Sequence, residues 1–148
     1  YWKTGHSYIK RKVGSFAANN ILVIADSCFS GAITRGVKFD DASKLGQETI
    51  DAFLTAKTFL ETKTRVAITS GGNEPVYDGG GGKYSVFANT FFESLETFDE
   101  PFTSLDLFQK IRNQVISKSQ TMGDTQTPMY KELVTSGHQG PDFVFIPN

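Results

Sequence analysis

The chain is poor in the side chains that carry most redox, metal and proton-transfer chemistry. Among 148 residues there is one cysteine, Cys28, and there are two histidines, His6 and His138. A single thiol excludes an internal disulfide and fits a reducing compartment, so the expected location is cytoplasmic. Long runs of one charge are also missing. The 15 basic and 16 acidic residues nearly cancel, to a net charge of -1. Neither nucleic acid nor an anionic membrane surface is therefore expected as a partner. The longest apolar run falls far short of the roughly 18 residues a spanning helix needs. The first residues show no secretory-signal pattern. Phenylalanine, by contrast, is abundant at 13 residues, which suggests a well-filled core or a surface that expects a partner.

What is present alternates between helix and strand patterns over one expected domain, residues 1–148. Tyr8, Ile9, Val13 and Phe16 are close to helical spacing, with Ser7 as a candidate cap. Asn20 to Ala25 reads as a strand, and Phe29 to Gly46 as a loop. Ile50, Phe53, Leu54, Ala56 and Leu60 predict a helix over Gln47 to Leu60. Arg65 to Thr69 is a second strand, and the glycine-rich stretch Gly71 to Lys83 a loop. Ser85 caps a helix with Phe87, Phe91 and Leu95 on one stripe and Phe92 beside it. Thr103 or Ser104 opens another helix, with Leu105, Phe108, Ile111 and Val115 facing inward. Thr121 to Pro128 is a loop, and Asp142 to Ile146 a short last strand. Gly79 to Gly82 lacks the Lys-Ser/Thr ending of a phosphate-binding loop. A loop that orders over a peptide is the better reading.

The most informative stretch is Asn20-Ile21-Leu22-Val23-Ile24-Ala25-Asp26-Ser27-Cys28-Phe29-Ser30-Gly31. Its apolar run predicts a strand buried on both faces, as in a parallel sheet. Such a strand delivers Cys28 to the carboxyl edge of the sheet, where open α/β sheets bind ligands. A lone cysteine is more often an inert packing residue. The flanking residues argue otherwise here, because Asp-Ser-Cys-Phe-Ser-Gly resembles the nucleophile motif of the caspase-like cysteine peptidases, in their metacaspase and bacterial branch. Arg65-Val66-Ala67-Ile68-Thr69-Ser70-Gly71-Gly72-Asn73-Glu74-Pro75 resembles that family's next core strand and its Ser-Gly substrate loop. The tract Gly79 to Ala88 and the tail Gly137 to Pro147 are similar to bacterial members as well.

The resemblance implies an α/β fold of three layers, a mostly parallel sheet flanked by helices, and Cys28 as the catalytic nucleophile. It implies a protein or peptide substrate and no cofactor. Some metacaspases require calcium. Asp40-Asp41 alone is far from the roughly six to eight oxygens of a calcium site, so no metal is assigned. Metacaspases recognise Arg or Lys through acidic residues, and Asp26 matches that acidic position. A carboxylate there would pair with a guanidinium or ammonium group, against the alternative of a structural carboxylate bonded to the turn. Ser70, and the loop carboxylates Glu74 and Asp78, are further candidate substrate-binding residues; solvated loop charge is an equal reading of the last two. Cleavage after basic residues would also make Arg35 or Lys38 a self-processing site.

The family's histidine lies about 50 residues before its cysteine. His6 lies only 22 residues before Cys28, and His138 matches a non-catalytic family histidine. The chain is therefore expected to be the C-terminal part of a catalytic domain. The upstream strands and the base would come from polypeptide outside it. The expected function is a cysteine endopeptidase cleaving after Arg or Lys. The alternative is a catalytically inactive caspase-like protein-interaction module.

Overall fold

Two short β-branched runs pair with each other and organise everything else. The computed structural model describes residues 2–27, 62–71, 84–123 and 125–147, with side chains from residue 7 onward. Helix α1 spans Trp2–Ser15, and strand β1, Asn20–Ala25, follows it. Strand β2 covers Thr64–Thr69, helix α2 Val86–Leu95, and strand β3 Phe102–Thr103. Helix α3 runs Ser104–Thr121, strand β4 Met129–Glu132, a 3-10 turn Val134–Ser136 and strand β5 Val144–Phe145. Among the described residues the chain is a small α/β protein. No helix there is long and apolar enough to cross a membrane.

β1 and β2 pair in parallel from Asn20↔Thr64 to Ala25↔Thr69. β4 lies antiparallel along the other side of β2, from Val66↔Glu132 to Thr69↔Met129. β3 and β5 form a separate antiparallel ribbon. The expectation of a mostly parallel sheet fails for the described residues: β1–β2 is the one parallel pair among three pairings. The returning strand β4 begins just after the predicted loop Thr121 to Pro128 and was not expected, because Met129-Tyr130-Lys131-Glu132 has no apolar alternation to show it. The last strand is two residues long and joins β3 rather than the main sheet.

β1 is also less buried than its composition predicts. Its residues are half-buried, and Ile24 is 37% exposed. Among the described residues it pairs on one side only, with β2. β2, the central strand, is buried at every position. A strand covered on both faces needs an apolar layer on each. On one face Val13 of α1 meets Ala67 and Leu133, with Ile21, Val23 and Ala25 packed beside them. On the other, Ile68 packs with Val86 and Phe87 of α2 and Leu107, Phe108, Ile111 and Val115 of α3, with Leu22 against them. Each such side chain contributes about 1.5–3 kcal/mol of hydrophobic stabilisation. Leu107 belongs to this core although the predicted stripe of α3 omitted it, whereas Leu105 is only half-buried. Phe92 sits on the exposed side of α2.

Helix starts follow their caps. Ser85 accepts the Ala88 N–H at the start of α2. Thr103 and Asp106 form a reciprocal capping box on α3. Ser7 is not a cap, since α1 begins five residues earlier and Ser7 lies within it. Gly14 lets α1 approach the 3-10 turn: a Cβ there would lie 3.3 Å from the Ser136 carbonyl oxygen.

Two polar hubs tie the elements together, one of them at the start of β2. Arg65 is fully buried, and its guanidinium donates to the carbonyls of Phe16, Ala18, Asn19 and Thr64, closing the α1–β1 connection. The His138 Nδ1 accepts the Arg65 N–H at 3.1 Å, so the ring is neutral with its proton on Nε2. Asp142 holds the tail to α3. It accepts from Ser104 Oγ at 2.5 Å, Leu105 N–H at 3.0 Å, Tyr130 Oη at 2.6 Å and its neighbour Phe143 N–H at 2.7 Å. Burial and the adjacent Asp142 carboxylate push the Tyr130 phenol well above its ordinary pKa. Phe98, Phe102 and Phe145 stack beside this hub at centroid distances of 4.0 and 4.7 Å.

Removing the acceptor of four donors leaves them unsatisfied, so Asp142→Ala should lower unfolding free energy by about 2–4 kcal/mol in urea titrations. Burial holds the His138 pKa below its ordinary value of 6.5, with Arg65 acting in the same direction and Glu132 and Asp142 opposing. The folded protein resists a proton that the unfolded chain accepts. This contribution to stability is therefore full above pH 6.5 and is lost as pH falls from there towards the lowered folded value. His138→Asn keeps an acceptor for Arg65 but cannot titrate, and should flatten the midpoint-versus-pH curve just below pH 6.5.

Candidate functional site

Because β1 and β2 are parallel and in register, both chains leave the sheet at the same edge. β1 leaves through Asp26 and Ser27, and β2 through Ser70 and Gly71. The ladder continues one bond past the strands, with Ser70 N–H donating to the Ala25 carbonyl at 2.9 Å. The next donor, Ser27 N–H, goes to the Ser70 hydroxyl at 3.2 Å. Thr69 Oγ1 donates to the Gly71 carbonyl at 3.2 Å, bending the chain after β2. Ser70 is fully buried, whereas Asp26 and Ser27 are exposed.

A third element closes the corner. Ser85 donates from Oγ to Asp26 Oδ2 at 2.5 Å while accepting the Ala88 N–H at 2.9 Å. One hydroxyl thus caps α2 and ties its first turn to the acidic residue after β1. A carboxylate at a helix N-terminus is favoured by the unpaired N–H groups and the helix dipole.

Of the sequence candidates, Asp26 and Ser70 come together at this edge. Cys28, Glu74 and Asp78 lie outside the described residues, as do Arg35, Lys38, Asp40, Asp41, the predicted helix Gln47 to Leu60 and the side chain of His6. His138 bonds to Arg65 at the opposite end of β2. Arg65 and Ser70 are five positions apart, a span of roughly 16 Å at strand rise. That distance removes His138 as a base for chemistry at this edge. Among the described residues no cluster of three metal-ligating side chains occurs.

Two residues of the corner escaped the sequence. Ser85 was legible as a helix cap, but its bond to Asp26 spans 59 positions and leaves no local signature. Gln126 lay in a stretch read as loop. It is 2% exposed, and its Nε2 donates to the Ser70 carbonyl at 2.8 Å.

The chain matches no family model, no curated protein and no solved structure.

The Ser85 hydroxyl serves two partners, so Ser85→Ala should lower stability by about 1 kcal/mol, the usual scale of a lost helix cap. In a double-mutant cycle with Asp26→Ala, measured by thermal unfolding, the two should couple by about 0.5–1.5 kcal/mol, the scale of one net hydrogen bond. Simple additivity would mean that the bond contributes nothing to folding.

Proposed function

We propose that this chain is the nucleophile-bearing part of a caspase-like cysteine endopeptidase of three-layer α/β fold, cleaving after Arg or Lys. The observation that carries the reading is the placement of Asp26. It is an exposed carboxylate at the carboxyl edge of a parallel strand pair, braced by Ser85, and the only cysteine of the chain follows two residues later. A substrate guanidinium would pair with this carboxylate in a planar, two-point geometry. A peptide would run over the Ser70–Gly71 corner with its basic side chain towards Asp26.

Catalysis then follows the chemistry of thiol peptidases. The Cys28 thiolate attacks the scissile carbonyl, and backbone N–H groups after the strand stabilise the oxyanion. A histidine takes the thiol proton and returns it to the leaving amine. Water then hydrolyses the thioester and regenerates the thiol. The base in this reading comes from polypeptide outside residues 1–148, as the resemblance implies. The reading as a catalytically inactive interaction module draws on the remote position of His138, and it becomes an outcome of the test.

The complete protein should be given reporters carrying Arg, Lys or Asp before the scissile bond. Cleavage after Arg or Lys that vanishes in Cys28→Ala is expected. Asp26→Asn should lower kcat/KM for the Arg reporter by about 10- to 100-fold, the equivalent of one charge-assisted hydrogen bond. Cleavage after Asp alone would overturn the specificity. No Cys28-dependent cleavage of any reporter would leave the interaction module as the function.

A further inference from the structure

In a parallel ladder the residue whose N–H bonds to position j−1 of the neighbouring strand gives its carbonyl to the N–H at j+1. Ser70 N–H bonds to the Ala25 carbonyl. The regular next bond would join Ser27 N–H to the Ser70 carbonyl. The protein breaks this pattern at that bond. Ser27 N–H is taken by the Ser70 hydroxyl at 3.2 Å, and the Ser70 carbonyl is taken by Gln126 Nε2 at 2.8 Å. The backbone acceptor has been turned out of the ladder and a side-chain acceptor put in its place.

The group that turns it is firmly held. Gln126 is buried, and its own N–H donates to Ser119 Oγ at 2.9 Å near the end of α3. Ser119 is fully buried and donates in turn to the Ile116 carbonyl at 3.1 Å. A continuous set of hydrogen bonds thus runs from α3 through Gln126 and Ser70 to Ser27, the residue before Cys28. The Gln126 Oε1 is buried with no partner among the described residues. An unsatisfied buried acceptor is unfavourable, and an apolar residue of the same shape would avoid it. Packing alone therefore does not account for a glutamine here; the bond from its nitrogen does.

The structure assigns Gln126 a positioning role: by drawing the Ser70 carbonyl out of the β1–β2 ladder, it ends the pairing at Ser27 and sets the corner from which the chain enters Cys28. This deepens the peptidase reading and rests on it for its catalytic consequence, but not for its geometry. Without the Gln126 amide, the Ser70 carbonyl can turn back to Ser27 N–H. The ladder would extend by one bond, and the two chains would separate later.

Gln126→Met keeps the length and removes the donor. Because Cys28 is the only cysteine, its alkylation by iodoacetamide reports the corner directly. Amide hydrogen exchange at Ser27 reports the ladder. The variant should slow alkylation by at least about fivefold and protect Ser27 N–H more strongly, the response expected when a backbone acceptor replaces a hydroxyl. In the complete protein, kcat/KM for the Arg reporter should fall at least about tenfold, one hydrogen bond's worth. Ser136→Ala is the structural control. It removes a partly buried bond to the Lys10 carbonyl, away from this edge. It should lower the melting temperature without changing the alkylation rate.

If Gln126→Met does not fold, Ser119→Ala removes the acceptor of the Gln126 backbone N–H, loosens the residue that holds the Ser70 carbonyl, and is read in the same way. Alkylation and Ser27 exchange within about twofold of wild type, in a folded variant, would overturn the assignment. If the wild-type protein cleaves no reporter, the peptidase reading falls. Alkylation and exchange then still decide the role of Gln126.

Discussion

The parallel pairing of β1 with β2, in register from Asn20↔Thr64 to Ala25↔Thr69, determines where two chains leave the sheet. Every feature of the candidate site depends on it. Asp26 and Ser70 are 44 positions apart in sequence and become neighbours because their strands run the same way and end together. A slip of one residue would exchange the faces of β1 and send Ile21, Val23 and Ala25 away from α1. The register is held by burial on both sides of β2, since Val13 and Leu133 cover one face and α2 and α3 the other.

The two ends of this strand pair are finished in opposite ways. At the amino end, Arg65 and His138 satisfy backbone groups and close the connection from α1. At the carboxyl end, side chains interrupt the ladder instead of completing it. Ser70, Ser85 and Gln126 each take a bond that regular structure would have placed elsewhere or left to solvent. A closed end and an opened end on one strand fit a division between stability and binding, because a site must expose chain that the core would otherwise pair.

Much of the fold was legible where periodicity and caps are local. β1 has the predicted bounds, Ser85 caps α2, and Thr103 caps α3 with Asp106. The failures have particular causes. The half-exposure of β1 depends on which strands flank it, and an apolar run of five residues does not carry that information. β4 and β3 lack alternation and are stabilised by partners far along the chain. The full burial of Arg65 contradicts the usual place of arginine, and it is tolerated because the carbonyls of residues 16, 18, 19 and 64 converge on it.

By itself the sequence determined an α/β alternation, the strand leading to Cys28, and the acid two residues before that thiol. Those are local properties: β-branched runs extend, short polar side chains cap helices, and adjacent residues stay adjacent. Only the tertiary structure decided that Ser70 meets Ser27, that Ser85 braces Asp26, and that Gln126 takes the Ser70 carbonyl. It also decided that His138 sits beside Arg65, at the end of β2 opposite Ser70. These are contacts between residues 43 to 73 positions apart. They form once burial has brought the strands and helices together, because a hydrogen bond reaches about 3 Å and carries no signal along the chain.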